Sequence, residues 1–215
     1  GKEDMDSGVR YLVMVTQNGI IKKTALGEFE NVRRSGLIAI TLKKNDLLKK
    51  ICKSTGEDEL ILVTRRGTAV RFKEKDIREM GRQASGVKGI RLKGKDNVVG
   101  MDVIKLKIKD EKLKINDYLL VVTENGYGKR TDLKEYRLQG RGGSGIKTAN
   151  ITPKTGDLVA SFLLSGLEED LIVISQKGQV IRTNISQIPK LSRSTQGVRL
   201  MKLEEGDRVA SATCI

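Results

Sequence analysis

The sequence lacks several residue types on which common kinds of protein chemistry depend. It has no histidine and no tryptophan, and only two cysteines, Cys52 and Cys214, in 215 residues. The absence of histidine excludes Ser-His-Asp triads and histidine acid–base catalysis, and with so few cysteines it also excludes zinc sites of the usual kind. Because the two cysteines follow Asp46 and Asp207 at equivalent places, we predict buried strand thiols in a reducing cytoplasm, not a disulfide.

Long apolar runs and aromatic side chains are scarce as well. No run approaches the ~20 apolar residues of a membrane span. The polar start GKEDMDSGVR carries no signal-peptide pattern, and a chain that begins with Gly1 is expected to be a fragment of a longer protein. Aromatic residues make up 3% of the chain, which argues against single-stranded nucleic acid, since that partner is bound by stacking on aromatic rings. We predict no membrane partner, no cofactor and no metal.

Positive charge is what the sequence has in excess. Lysine and arginine number 41 against 27 acidic residues, a formal net charge of +14. A surplus of this size favours a polyanionic partner, either nucleic acid or an anionic membrane. The alternative is a basic protein whose charges serve only solubility.

Four repeats of one pattern fill the chain. Each begins with a short apolar run rich in β-branched residues and continues into an x-Gly dipeptide, the signal of a tight hairpin. The turn glycines, from which positions within a repeat are counted below, are Gly19, Gly67, Gly126 and Gly178. Ten residues later each repeat has an apolar anchor: Phe29, Ile77, Tyr136 and Ile188. A second glycine follows before an apolar residue, at Gly36, Gly86, Gly145 and Gly197.

This pattern predicts an all-β fold. The turn glycines are 48, 59 and 52 residues apart, a period that suits one four-stranded, propeller-like blade per repeat. We expect a single domain over 1–215 with blades at 10–57, 58–104, 118–165 and 169–215. The longer second spacing is due to 105–117, where lysine and apolar residues alternate around Lys109. We interpret this segment as an inserted two-stranded ribbon, and the interpretation as a solvated hairpin is favoured over one in which its lysines contact nucleic acid.

Basic residues recur at three positions of the repeat, and we predict that they contact phosphates. The residues at position +4 are Lys23, Arg71, Arg130 and Arg182; those at +15 are Arg34, Arg82, Arg141 and Arg193; and those at +21 are Lys88, Lys147 and Arg199. Equivalent positions in a ring of blades follow one another around a rim, so such charges would form a curved basic belt. Pairing with blade carboxylates is the alternative for +4, whereas the loops at +15 have no acidic neighbours in sequence.

One loop combines an arginine with several glycines. It comprises Gln139, Gly140, Arg141, Gly142, Gly143, Ser144 and Gly145. Glycines allow backbone N–H groups to approach a phosphate, and the arginine can bind it with two hydrogen bonds. The loop is not a P-loop, because no Gly-Lys-Ser/Thr sequence precedes a helix.

This loop and the preceding Tyr127-Gly128-Lys129-Arg130-Thr131 resemble the C-terminal domain of bacterial DNA gyrase A, and the resemblance covers essentially the whole chain. It implies a β-pinwheel, in which neighbouring blades exchange a strand. It also implies sequence-independent wrapping of duplex DNA by a non-catalytic domain of a type IIA DNA topoisomerase. Together with the remainder of gyrase A and with gyrase B, such a domain supports ATP-dependent negative supercoiling. The expected location is the cytoplasm, on the chromosome.

The resemblance has two departures. Gly140 and Ser144 stand where the family's hallmark box, Gln-Arg-Arg-Gly-Gly-Lys-Gly, has Arg and Lys. The family usually has six blades, and this chain has four repeats that resemble the last four. We therefore predict an open arc or a ring with a gap, with exposed strand edges.

Three alternatives to a gyrase module stay open at this point. The chain could be a propeller scaffold for acidic proteins, or the corresponding domain of topoisomerase IV. It could also be an enzyme with an active site at a ring centre. The candidate carboxylates for such a site are the repeated Asp46, Asp96, Asp157 and Asp207, which are otherwise expected to be turn residues.

Overall fold

The computed structural model describes residues 8–32, 34–105 and 117–215, and this part of the chain is built from strands and short 3₁₀ turns, with no α-helix. The strands of the first two repeats are β1 (Tyr11–Thr16), β2 (Ile20–Ala25), β3 (Leu48–Ser54), β4 (Glu59–Thr64), β5 (Thr68–Lys73), β6 (Val87–Lys88) and β7 (Val98–Ile104). Those of the last two are β8 (Tyr118–Thr123), β9 (Tyr127–Asp132), β10 (Ile146–Lys147), β11 (Leu158–Leu164), β12 (Asp170–Ser175), β13 (Val180–Asn184), β14 (Val198–Arg199) and β15 (Val209–Cys214). The all-β prediction is confirmed. Lys109 and most of the predicted ribbon at 105–117 lie outside the described residues.

The predicted hairpins form at the x-Gly dipeptides. In the first repeat β1 pairs antiparallel with β2, from Tyr11 opposite Ala25 to Val15 opposite Ile21. All four turn glycines have a φ between +76° and +86°. Only glycine adopts this conformation without a steric cost, so the turn chemistry and the strand register agree.

Each repeat supplies a short strand to the sheet of the repeat before it. The four-stranded sheets have the orders β3-β1-β2-β6, β10-β5-β4-β7 and β11-β8-β9-β14, and β6, β10 and β14 are the strands supplied by the next repeat. This is the strand exchange that the pinwheel prediction requires. The fourth sheet, β13-β12-β15, has three strands, and β13 is its edge strand among the described residues.

Three of the four turn glycines, Gly19, Gly67 and Gly126, lie against a segment of the next repeat. The carbonyl of Gly126 accepts hydrogen bonds from the N–H groups of Leu200 (2.8 Å) and Met201 (3.1 Å) of the next repeat. A Cβ atom on Gly126 would lie 2.5 Å from the Met201 carbonyl oxygen, whereas one on Gly178 would meet no described atom within 4 Å. Glycine thus meets two separate demands at Gly126, a positive φ and a close backbone approach, and only the first at Gly178.

The predicted anchors lie at the ends of the 3₁₀ turns at Leu26–Phe29, Glu74–Asp76, Leu133–Glu135 and Ile185–Gln187, with Phe29 as the last residue of the first turn and the other three directly after theirs. Three of them, Ile77, Tyr136 and Ile188, are buried, and Phe29 is half-buried. The Tyr136 hydroxyl shares a hydrogen bond of 2.5 Å with the Thr148 hydroxyl. Apolar burial near the end of each hairpin fixes the position from which the following loop departs.

The described residues form two compact units, each with its own apolar core. Unit 1 takes the described residues within 1–62, 70–110 and 138–145, and its core includes Val13, Ile21, Leu62, Phe72 and Met101. Unit 2 takes those within 63–69, 111–137 and 146–215, and its core includes Leu120, Val122, Leu171, Ile188 and Met201. These cores take alternate residues of the apolar runs, such as Val13 and Val15 in unit 1 and Leu120 and Val122 in unit 2.

Cys52 and Cys214 are both half-buried on strands and are not joined in a disulfide. Burial raises the pKa of Cys52 to about 11, so this thiol is inert at neutral pH. The described part of the chain contains no helix long and apolar enough to cross a membrane.

Candidate nucleic-acid interface

Three of the four cations at position +4 lie close to carboxylates, two of them within their own hairpin. Arg71 Nε lies 2.6 Å from Glu59 Oε2, and Arg182 Nε donates to Asp170 Oδ2 at 2.7 Å. Lys23 is buried, with its Nζ 3.8 Å from a carboxylate oxygen of Glu74. These three contacts match the alternative interpretation, in which +4 pairs with blade carboxylates.

Arg130, the fourth residue at +4, contacts carbonyl oxygens and an aromatic ring in place of a carboxylate. Its guanidinium donates to the carbonyl oxygens of Ile188 (2.7 Å) and Ser186 (3.0 Å) and lies 5.6 Å from the centre of the Tyr118 ring. Burial lowers its pKa. The position eight residues before the turn glycine signals this difference, since it holds an acid in the second and fourth repeats and a tyrosine in the other two: Tyr11, Glu59, Tyr118 and Asp170.

Two of the four arginines at position +15 have acidic neighbours, contrary to the expectation from their loop sequences. Arg82 Nε lies 3.8 Å from Glu28 Oε2, and Arg193 Nε lies 3.8 Å from Glu135 Oε2. Both acids occupy position +9 of the preceding repeat, more than 50 residues earlier in the chain. Sequence proximity missed them because strand exchange brings consecutive repeats together at this loop. Arg34 of the first repeat is exposed.

Two of these arginines also bind the strand supplied by the preceding repeat. In unit 1, Arg141 Nη1 donates to the Lys88 carbonyl oxygen (2.7 Å) and Nε donates to that of Asp76 (2.8 Å). In unit 2, Arg193 Nη1 donates to the Lys147 carbonyl oxygen at 2.8 Å. Each guanidinium is thereby held beside an exchanged strand and stays partly exposed.

The cations at position +21 lie on the exchanged strands themselves and are exposed. Lys88 lies opposite Ile20, Lys147 opposite Thr68 and Arg199 opposite Tyr127. Since the +21 lysine and the +15 arginine of the next repeat share a hydrogen bond, they form two cation pairs. We name them the Lys88–Arg141 pair, in unit 1, and the Lys147–Arg193 pair, in unit 2.

The remaining members of the two sets have other surroundings. Arg199 lies in the last repeat of this sequence, and its Nη2 donates to the Tyr127 hydroxyl at 3.2 Å. In the shorter first repeat the place equivalent to +21 is held by Ile38, so Arg82 lacks the basic counterpart that Arg141 and Arg193 have.

The glycine-rich loop presents the Arg141 side chain more than its own backbone. The Gly142 N–H donates to the Gly89 carbonyl (2.8 Å), and the Gly143 N–H donates to that of Gly140 (3.3 Å). Gln139 donates its N–H to the Arg71 carbonyl at 2.8 Å, while Ser144 is exposed and Gly145 has a φ of +71°. Because these backbone donors are used within the fold, the predicted phosphate cradle of N–H groups is only partly available.

The repeated aspartates act in turns, which leaves the enzyme alternative without its candidate carboxylates. Asp46 Oδ1 accepts the N–H groups of Asn18 (3.0 Å) and Leu47 (2.9 Å), and Asp207 Oδ1 accepts those of Lys177 (3.1 Å) and Arg208 (2.8 Å). Asp96 accepts the N–H of Asn97, and Asp157 pairs with Arg65. No cluster of three metal-ligating side chains occurs among the described residues.

Two buried lysines at position +3, Lys22 and Lys129, were not among the binding residues predicted from the sequence. Lys129 Nζ donates to the carbonyls of Ser192 (2.6 Å), Arg193 (2.9 Å) and Thr195 (3.0 Å) and to the Thr195 hydroxyl (3.1 Å). Lys22 Nζ donates to the carbonyls of Ala39, at 2.7 Å, and Arg82. The available signal was a lysine where the second and fourth repeats have Val70 and Ile181.

Burial of Lys129 predicts a specific pH dependence of stability. The pKa of Lys129 is lowered to about 8, chiefly by burial; Glu135 opposes this shift, and the charges of Arg193 and Lys147 contribute to it. An unfolded lysine titrates near ~10.4, so between about pH 8 and ~10.4 the unfolded chain binds one more proton than the folded chain. This group's contribution to the free energy of unfolding should therefore rise with pH across that window. We expect wild type to gain stability relative to Lys129→Met between about pH 7.5 and 9.5 in urea unfolding, and a constant difference would contradict this.

The chain is similar in sequence to known proteins along almost its whole length. The family described as DNA gyrase C-terminal domain, beta-propeller, matches residues 10–51, 58–105, 117–165 and 169–215. The A subunit of DNA gyrase from Staphylococcus epidermidis is 44% identical over 97% of this chain, which spans 22% of that protein. Its counterpart from Staphylococcus aureus is 40% identical over 97% of this chain and 23% of its own length.

Solved structures show the same architecture. A C-terminal domain of DNA topoisomerase IV superposes with a TM-score of 0.86 at 26% identity, covering 96% of this chain and 62% of that one. A DNA gyrase A C-terminal domain gives a TM-score of 0.82 at 25% identity, covering 97% and 66%. The strands are exchanged between repeats, and the family matches all four repeats. The chain therefore belongs to the β-propeller family of DNA gyrase C-terminal domains.

Proposed function

We propose that the chain binds the phosphate backbone of duplex DNA and bends it, as a non-catalytic part of DNA gyrase A. The observation that carries the proposal is the pair of neighbouring cations in each unit, Lys88–Arg141 and Lys147–Arg193. In each pair the arginine is fixed by the carbonyl oxygen of the lysine, so two positive charges are held next to one exchanged strand. Such a pair suits a phosphate group, because arginine supplies directed hydrogen bonds and lysine a mobile point charge.

The interface contacts phosphates and not base edges. The cations lie on two-residue strands and short loops, and no described helix or long ribbon is available to enter a major groove. Phosphate contacts carry no base information, so we expect affinity to vary little with sequence. DNA that bends easily should bind better, since bending stiff DNA costs more energy.

Family membership supports a role within the whole enzyme. The chain spans 22% of the Staphylococcus epidermidis protein. We propose that it acts with the remainder of gyrase A and with gyrase B, wrapping DNA on the chromosome in support of ATP-dependent negative supercoiling. The 44% identity to a gyrase relative favours gyrase over topoisomerase IV as its setting.

A salt series on wild type tests the proposal. The proposed interface contains the two cation pairs and three further arginines, Arg34, Arg82 and Arg199. Together they could contact roughly four to seven phosphates. The logarithm of the binding constant should therefore fall with log[salt] at a slope of roughly −4 to −6. The measurement is fluorescence anisotropy of a labelled duplex from low to moderate salt, repeated with two duplexes of unrelated sequence. A slope near zero would refute backbone binding and favour the scaffold for acidic proteins.

A further inference from the structure

Lys129 makes its polar contacts outside its own repeat. It lies on β9 and is 1% exposed, yet its ammonium group has four acceptors between 2.6 and 3.1 Å, all in the segment 192–195 of the next repeat. An ammonium group has three N–H donors, so this segment satisfies it completely. A buried charge is stable only with such partners, and removing it would leave the carbonyl oxygens unpaired.

The lysine is not needed for the hairpin on which it lies. The same position is held by Val70 in the second repeat and by Ile181 in the fourth, and both repeats form their hairpins. Lys22 in the first repeat repeats the arrangement, because its ammonium group binds the carbonyl of Arg82 in the second. In both cases the segment that is bound carries the arginine at position +15.

The contact fixes the direction of the Arg193 side chain. Three carbonyl oxygens of 192–195 turn inward to one ammonium group, while the Arg193 N–H donates to Glu135 Oε2 at 3.1 Å. With the backbone held on both sides, the guanidinium reaches the Lys147 carbonyl on the exchanged strand. The Arg141 loop has an apolar Val70 at the equivalent place and is held instead by backbone hydrogen bonds with Gly89 and Arg91.

We propose that Lys129 is a positioning residue for DNA binding, which acts by holding Arg193 beside Lys147, and that Lys22 holds Arg82 in the same way. The inference rests on the proposed function, because the two buried lysines hold arginines that are themselves proposed to contact phosphates. Neither lysine touches DNA in this scheme.

A double-mutant cycle distinguishes positioning from a general effect on folding. If Lys129 acts through Arg193, then Lys129→Met should weaken duplex binding roughly 3- to 10-fold at ~0.1 M salt and reduce the salt slope by about one. Lys129→Met and Arg193→Ala should then be non-additive, so that the double variant binds like either single variant. Lys129→Met and Arg141→Ala, which lie in different units, should be additive.

The controls separate the possible failures. Ile181→Met places the same side chain at the same position of the fourth repeat and should leave binding and slope unchanged. If wild type shows no salt slope, the proposed function fails; if wild type has the slope but Lys129→Met adds fully to Arg193→Ala, the positioning role is refuted. Should Lys129→Met unfold, the cycle of Lys22→Met with Arg82→Ala tests the same inference in unit 1, and additivity there would overturn it.

Discussion

Replacing Lys88, Arg141, Lys147 and Arg193 together by glutamine is expected to weaken duplex binding roughly 10²- to 10⁴-fold at ~0.1 M salt, and to reduce the salt slope by about four. These four side chains form the two cation pairs, and the proposed function assigns one phosphate to each of them. The measurement is anisotropy across a salt series for the variant and wild type. The loss should be the same for unrelated sequences, since no base contact is removed.

A control with matched charge lies within unit 1. The double variant Lys88→Gln/Arg141→Gln removes one lysine and one arginine from a cation pair and should lower the slope by about two. Lys23→Gln/Arg71→Gln removes the same charges from position +4, where Lys23 is 6% exposed and Arg71 is bound to Glu59. This variant should cost stability and leave the slope nearly unchanged. Equal losses of slope in the two variants would show that net charge alone drives binding.

Gly126→Ala is expected to lower the free energy of unfolding of unit 2 by roughly 3–5 kcal/mol, which is a large loss for a single methyl group. The new Cβ would lie 2.5 Å from the Met201 carbonyl oxygen, and the backbone of the crossing segment would have to move. That segment donates two hydrogen bonds to the Gly126 carbonyl, so its movement also weakens the junction between sheets. Urea unfolding followed by circular dichroism measures the loss.

Gly178→Ala provides the matched comparison in the same unit. Both glycines hold the same turn position and have similar φ values, +78° and +86°. The substitution at Gly178 introduces only the left-handed conformation of a residue with a Cβ, at roughly 1–2 kcal/mol. If the two variants lost equal stability, the crossing of exchanged segments would not be the reason for glycine at Gly126.

The sequence predicts those features of the fold that depend on local chemistry and on periodicity. Turn glycines, apolar runs and apolar anchors recur at fixed positions, and the physical requirement at each position limits the residue types that can meet it. The exchange of strands came from the family resemblance, since two-residue strands such as Val87–Lys88 leave almost no pattern of their own.

The site was predicted less completely, for a physical reason. Arg193 has its acidic partner 58 residues away and Lys129 its acceptors 63 to 66 residues away, distances at which composition and spacing say nothing. At +4 the relevant acid was nearer, with Glu59 12 residues before Arg71, and the alternation of acid and tyrosine would have indicated a structural role. A position shared by four repeats shows equivalence but does not show which neighbour completes each contact.

Strand exchange also bears on how such a chain can be shortened or lengthened during evolution. The Lys88–Arg141 pair draws its lysine from the second repeat and its arginine from the third, and it lies on β2 of the first. A deletion of the third repeat would therefore bring Lys88 to the Arg193 loop, whose present partner is Lys147. The unit that would have to be preserved in evolution is therefore the contact between consecutive repeats. An inserted repeat would keep the cation pairs only if it supplied a suitable residue to the repeat on each side of it.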